Sequence, residues 1–283
     1  MISPSPKPPR PSLPNLPRPG KPRPVPYPPP RPKWLTKRGR SMTLIAAFRA
    51  GNGGILLCAD REENDGYAKR QVDKIYRIHL SSCDLFIAGA GPSGVITKAC
   101  TDIQDSLTKA LADGVDLVRE HKSLIESSLR SIHKQYAANL KNCFLGLIVV
   151  FVPSDLTSVP ILYRTELAML IPEPYYAAYG SGKIVSDYLA DRLYGVADEV
   201  FGHAIDNKTL LALALFIFRE AGKSADGVGL GADMNLIRVC ENSPLQIIFP
   251  DVVLELQEKI PSLSDAVFAH WKRRVKIPRI MTE

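Results

Sequence analysis

The sequence predicts an α+β domain built from segregated antiparallel strands and paired helices, preceded by a separate leader. Two observations lead there. The patterned elements run as two strand pairs, two helices, more strands, two helices and a final strand, which does not alternate as a doubly wound parallel sheet would. Residues 1–41 hold 15 of the 24 prolines, and the hydrophobic patterning begins only after them.

The leader comes first. Each proline fixes φ and removes a donor, so neither helix nor sheet can propagate, and little apolar material is available to bury. Residues 1–41 are therefore expected to be disordered with polyproline II bias. They also carry ten Lys/Arg and no Asp or Glu. The whole chain has a formal charge of +7 over 283 residues. Residues 42–283 hold 26 basic against 29 acidic residues, so the basic excess belongs to the leader alone. A nucleic-acid partner inferred from the pI of 9.1 would be an error. The leader has three open readings. It is a ligand for proline-recognition domains through Pro11-Ser-Leu-Pro14 and Pro14-Asn-Leu-Pro17, a basic arm, or a stretch without a role, either a dispensable pro-segment or a leader ahead of a true initiator at Met42.

The body follows. Residues 43–48 read as a strand, Ala50-Gly-Asn-Gly-Gly54 as a turn, and residues 55–59 as the returning strand, ending on Asp60. A polar loop precedes strands at 72–80 and 85–88. Glycines 89, 91 and 94 mark a turn before helices at 95–112 and 115–139, where Leu117, Leu124, Leu129, Ile132 and Tyr136 recur at helical spacing. Strands are expected at 144–152, 160–164, 168–171 and 175–179. Gly180-Ser-Gly182 punctuates a helix at 184–193, and an apolar helix spans 207–221. A glycine-rich loop at 227–231 precedes a strand at 234–240. A helix from Pro250 and a basic tail, Lys272-Arg-Arg274, close the chain. The expected division is a leader 1–41, a globular domain 42–249 and a C-terminal stretch 250–283.

Several function classes are excluded on composition. The longest apolar runs, 143–152 and 210–218, are too short for a bilayer, which needs ~20 residues. No apolar h-region follows the N-terminus. The five cysteines are scattered and without a CxxC pair, which argues against a disulfide scaffold or zinc site and for a cytoplasmic home. The five histidines lack metal-ligand spacing, no Lys-Ser/Thr follows the late glycines, and no Gly-x-Ser-x-Gly elbow is present.

Certain residues then matter together. Thr43-Leu-Ile-Ala-Ala-Phe, Gly53 through Ala59-Asp60, Asp73-Lys74-Ile75, Ile87-Ala-Gly-Ala-Gly91, Ala178-Tyr-Gly-Ser-Gly182 and Asp226-Gly-Val-Gly with Asn235 through Val239 stand in one order over about residues 43–240. This set resembles proteasome β-type subunits and the related bacterial two-ring protease. The resemblance implies a four-layer αββα sandwich of the N-terminal nucleophile hydrolase type and a threonine peptidase working in a ring of like or related subunits on peptide or unfolded-protein substrates. It implies no cofactor and no metal. It also implies roles. Thr43 is the nucleophile, activated by its own α-amine when it is the first residue, since that amine titrates near ~7.7–8.0. Lys74 favours the alkoxide and Asp60 holds Lys74. Gly89 offers an N–H to the oxyanion, and Ser181 and Asp226 order the amine and its water. Each residue also has a plain reading: Thr43 a β-former, Asp60 a turn cap, Lys74 a solvated edge residue, Ser181 a helix N-cap, Asp226 a turn starter. The family pattern has glycine where Ala90 stands, often serine in the late loop, and glycine where Met42 precedes Thr43. A retained leader makes the chain a non-catalytic structural subunit. A small-molecule amidase on the same fold is the third alternative.

Overall fold

The computed structural model describes residues 43–51, 53–60, 62–64, 69–136, 145–155, 158–201, 207–224, 232–237 and 245–247. The leader, Asp226 and the C-terminal stretch 250–283 lie outside the described residues.

The opening hairpin is present. β1 (Leu44–Arg49) and β2 (Ile55–Asp60) pair antiparallel, Ile45 opposite Ala59 and Arg49 opposite Ile55. Gly53 closes the turn at φ +82°, a conformation costly for any residue with a Cβ. β2 then pairs with β11 (Ala232–Ile237), β11 with β12 (Leu245–Ile247), and β1 with β10 (Tyr176–Gly180). The resulting sheet has the order β10-β1-β2-β11-β12. The second sheet is a meander of β5 (Ile75–Leu80), β6 (Cys83–Ala90), β7 (Gly146–Pro153), β8 (Ile161–Glu166) and β9 (Met169–Pro172). All these pairs are antiparallel. Among the described residues the chain is thus a mixed α/β structure with two five-stranded antiparallel sheets, a small hairpin and four helices.

Side-chain alternation sends each strand's residues into different cores. Leu44, Ala46 and Phe48 pack with Leu56 and Cys58 against Leu210, Ala214 and Ile217 of α4 (Asn207–Ser224) and Ala190 of α3 (Lys183–Phe201). Their neighbours Ile45, Ala47, Leu57 and Ala59 pack with Phe86, Ala88, Ile148 and Val150 of the second sheet. The opposite face of that sheet, Leu85, Ile87, Leu147 and Val149, packs on Ile103 and Leu107 of α1 (Ser93–Ala112) and Ile125 and Leu129 of α2 (Leu117–Gln135). Both faces of β1, β2, β6 and β7 are therefore covered. This explains why β6 and β7 read as continuous apolar runs although their partners are antiparallel.

Several elements differ from expectation for identifiable reasons. The polar loop after Asp60 contains a hairpin, β3 (Glu62–Asn64) with β4 (Lys69–Gln71). Its residues have no apolar face, so no periodicity announces it. β5 starts at Ile75 rather than at residue 72, which leaves Lys74 just ahead of the strand. α3 runs past Gly195 to Phe201, because one glycine inside a helix costs only about 1 kcal/mol relative to alanine. α2 starts where the Asp116 carboxylate accepts the Val118 N–H at 3.0 Å. β12 has no counterpart in the sequence reading. Cys58, Cys83 and Cys100 are buried and unpaired by disulfides. Burial raises their thiol pKa values, Cys83 to about 11 and Cys100 to about 12, so they stay protonated. Among the described residues no helix is long and apolar enough to cross a membrane, and no three His, Cys, Asp or Glu side chains gather as a metal site would need.

One buried histidine gives a testable property of this fold. His121 of α2 stacks on Phe151 with ring centroids 3.7 Å apart. Its Nδ1 faces the Leu117 and Val118 carbonyls at 3.0 Å, and its Nε2 faces the Tyr163 hydroxyl at 3.0 Å. Nδ1 therefore carries the proton, and the neutral ring is satisfied when Nε2 accepts from Tyr163. Burial pushes its pKa below the ordinary 6.5, and the backbone bonds oppose that fall only in part. As pH drops, the unfolded chain takes up the proton first. The stability from this group is full above its unfolded pKa and is lost as pH falls through the lower folded value. The thermal midpoint should fall more steeply between about pH 7 and pH 5 in the parent than in His121→Gln. Parallel curves would refute the coupling.

Candidate active site

The site assembles where the two sheets meet at one end. Thr43 directly precedes β1 and continues the series Ile45 and Ala47, whose side chains face the second sheet. Lys74 directly precedes β5 of that second sheet, and Asp60 is the last residue of β2. Three segments remote in sequence thus deliver three polar side chains to one point.

There they form a closed triangle. Lys74 Nζ donates to Thr43 Oγ1 at 2.6 Å and to Asp60 Oδ1 at 2.5 Å, and the Thr43 hydroxyl donates to the same Asp60 oxygen at 2.5 Å. Asp60 is fully buried and Thr43 nearly so, while the Lys74 side chain keeps 11% of its exposure. The plain reading of Lys74 as a solvated edge residue does not fit this burial. Low local dielectric makes such a charge pair strong, and breaking it costly. Chemically the triangle places an ammonium against a hydroxyl oxygen, which stabilises negative charge on that oxygen when it develops. A carboxylate fixes the ammonium from the other side.

The remaining expected residues fall differently. Gly89 lies in β6, and its N–H donates to the Lys74 carbonyl at 3.4 Å. Packing also demands glycine here: a Cβ would lie 2.4 Å from Ile96 Cγ2 of α1. Ser181 reaches Thr43, but through the backbone: its hydroxyl donates to the Thr43 carbonyl oxygen at 3.4 Å. Gly182 N–H points at the same oxygen at 3.5 Å. Ser181 therefore meets the carbonyl of Thr43 where an amine contact was expected. In the continuous chain the Thr43 nitrogen is a peptide nitrogen, which has no basicity to offer. Sequence reasoning passed over Gly180 and Gly182 as individual residues. Their signal was available in the Gly-Ser-Gly turn itself, since two glycines around one polar residue mark close backbone approach.

No family model and no curated protein matches the sequence. The fold, in contrast, is similar to solved structures. They include Anbu (ancestral beta-subunit) from Yersinia bercovieri, at 16% identity and TM-score 0.60, covering 80% of this chain and 96% of that one. Anbu from Hyphomicrobium sp. strain MC1 matches at 17% identity and TM-score 0.62, covering 84% and 100%. The helical assembly of the Anbu complex from Pseudomonas aeruginosa matches at 16% identity and TM-score 0.63, covering 84% and 99%. These matches correct the sequence resemblance to proteasome β-type subunits and the bacterial two-ring protease. The fold of this chain is similar to that of the Anbu (ancestral beta-subunit) proteins.

Proposed function

We propose that the chain is an N-terminal nucleophile hydrolase on a four-layer αββα sandwich, cleaving peptide bonds in peptides or unfolded proteins with the Thr43 hydroxyl. The observation that carries this reading is the buried triangle of Thr43, Lys74 and Asp60, with all three separations at 2.5–2.6 Å. The reaction requires the chain to begin at Thr43. Its α-amine then takes the hydroxyl proton, directly or through one water, and Oγ1 attacks the scissile carbonyl carbon. Lys74 stabilises the oxygen as it sheds its proton. The Gly89 N–H turns from its long bond with the Lys74 carbonyl to the tetrahedral oxyanion. The protonated amine passes its proton to the leaving nitrogen, leaving an ester on Thr43. Water, activated by the same amine, hydrolyses that ester. Asp226 orders the amine and its water, while Ser181 holds the Thr43 carbonyl.

Such a nucleophile is indiscriminate, so we place the chain in a closed assembly of like subunits, in the cytoplasm, that admits only extended substrate. The assembly state of the P. aeruginosa Anbu complex supports association of like chains. Purified protein tests the reading in two steps. N-terminal sequencing of active material should return Thr-Leu-Ile. A peptide epoxyketone, which bonds to the hydroxyl and amine of a terminal threonine together, should add its mass to the Thr43 peptide. Active material that begins Met-Ile-Ser, or probe that misses Thr43, would overturn it. A chain that keeps its leader and hydrolyses nothing is a structural subunit. One that labels poorly yet hydrolyses small amides is an amidase.

A further inference from the structure

We infer that Gly180 is the positioning residue of this site: its missing side chain gives the Thr43 carbonyl its seat, and that seat aims the Thr43 hydroxyl into the triangle. The kinetic part of this inference rests on the proposed threonine chemistry, and the structural part stands without it.

The ladder between β1 and β10 ends with Leu44 opposite Gly180. Gly180 has φ +107°, where a Cβ is strained on any L residue. The available space is more decisive than the strain. A Cβ on Gly180 would lie 1.9 Å from the Thr43 carbonyl oxygen, 2.6 Å from the carbonyl carbon and 3.0 Å from Cγ2. The first two are backbone atoms and cannot rotate away. The same oxygen is the one addressed by the Ser181 hydroxyl and the Gly182 N–H. The Gly182 carbonyl in turn accepts the Ser186 N–H at 3.0 Å, which ties this turn to the first turn of α3. Three consecutive residues therefore grip one carbonyl, Gly180 by leaving room and its two successors by donating.

The consequence follows from geometry at a single carbon. The carbonyl and the side chain of Thr43 share Cα, so moving the carbonyl swings Oγ1 away from Lys74 and Asp60. Those contacts are short on both sides and leave no slack. Displacement of a reacting atom by about 1 Å can cost roughly 100-fold in rate.

The test is Gly180→Ala in the protein whose chain begins at Thr43, with a crystal structure and steady-state kinetics on a fluorogenic peptide. The structure should show the Thr43 carbonyl displaced and Oγ1 beyond hydrogen-bond distance of Lys74 Nζ. The kinetics should show kcat reduced about 100-fold with KM held. Adding Thr43→Ser should not rescue kcat, because serine removes the Cγ2 contact and keeps the carbonyl contact. Rescue would show that the methyl group, not the carbonyl, needs the space, and would overturn the inference. An unmoved carbonyl or an undiminished kcat would do the same. If Gly180→Ala does not fold, Ser181→Ala decides. Loss of one donor should lower kcat about 2–10-fold and leave the acid limb of the pH profile in place. A shifted limb would mean that Ser181 acts on the amine, against the grip proposed here. If the parent protein hydrolyses nothing, the threonine chemistry fails, while carbonyl displacement in the variant crystal still decides the role of Gly180.

Discussion

Thr43→Ala should lower kcat for peptide hydrolysis by roughly 10⁴-fold or more, with the fold retained. Thr43 supplies the hydroxyl that Lys74 and Asp60 converge on, so nothing in the triangle can replace it as a covalent nucleophile. The structural cost is small by comparison. The substitution removes two hydrogen bonds and leaves the contact between Lys74 and Asp60 in place, a loss of about 1–3 kcal/mol. Kinetics on a fluorogenic peptide and a thermal melt on the same preparation separate the two effects. Thr43→Ser should keep measurable turnover, since the hydroxyl remains. An alanine variant with more than a trace of parental activity would end the nucleophile assignment.

Much of this arrangement was legible in the sequence because it depends on local signals that few alternatives share. The opening hairpin joins two largely apolar strands through a glycine-rich turn, and it falls where expected. α2 carries a long periodic pattern, and α1 and α4 are long stretches free of proline. What stayed hidden depends on tertiary context. The β3–β4 hairpin is polar on both faces, so no side-chain pattern separates it from a loop. Lys74 looked like a strand residue because Val72, Lys74 and Tyr76 alternate with their neighbours. The structure starts β5 at Ile75, and Lys74 turns inward because a carboxylate and a hydroxyl from the other sheet meet it there. Nor could the sequence reveal that Ile96 crowds Gly89, or that the Thr43 carbonyl occupies the volume a Gly180 side chain would fill. Both are collisions between residues far apart in the chain. A glycine in a turn motif signals close approach without naming the neighbour. The sequence thus names Thr43, Asp60 and Lys74, which the structure brings together, but not the geometry that joins them.

The second large effect separates what Lys74 does for stability from what it does for chemistry. Lys74→Met keeps the length of the side chain and removes the charge, leaving the fully buried Asp60 carboxylate without the ammonium now 2.5 Å from it. Losing one partner of a buried pair costs about 3–5 kcal/mol, so this variant should melt well below the parent. Loss of the donor at Oγ1 should separately lower kcat by about 10²–10³-fold. The double variant Asp60→Asn with Lys74→Met distinguishes the two roles. It removes both charges, so no buried carboxylate is left uncompensated, and the Asn amide oxygen can still accept from the Thr43 hydroxyl. The melting temperature should therefore return most of the way to the parental value. Turnover should not, because no cation then faces the hydroxyl oxygen. If turnover recovers with stability, the triangle is a folding device and Lys74 has no part in the reaction. If Lys74→Met alone is destabilised yet keeps its kcat, the same conclusion holds. Stability restored with kcat still depressed is the combination expected of an ammonium placed to stabilise an alkoxide, and a purely structural pair cannot produce it.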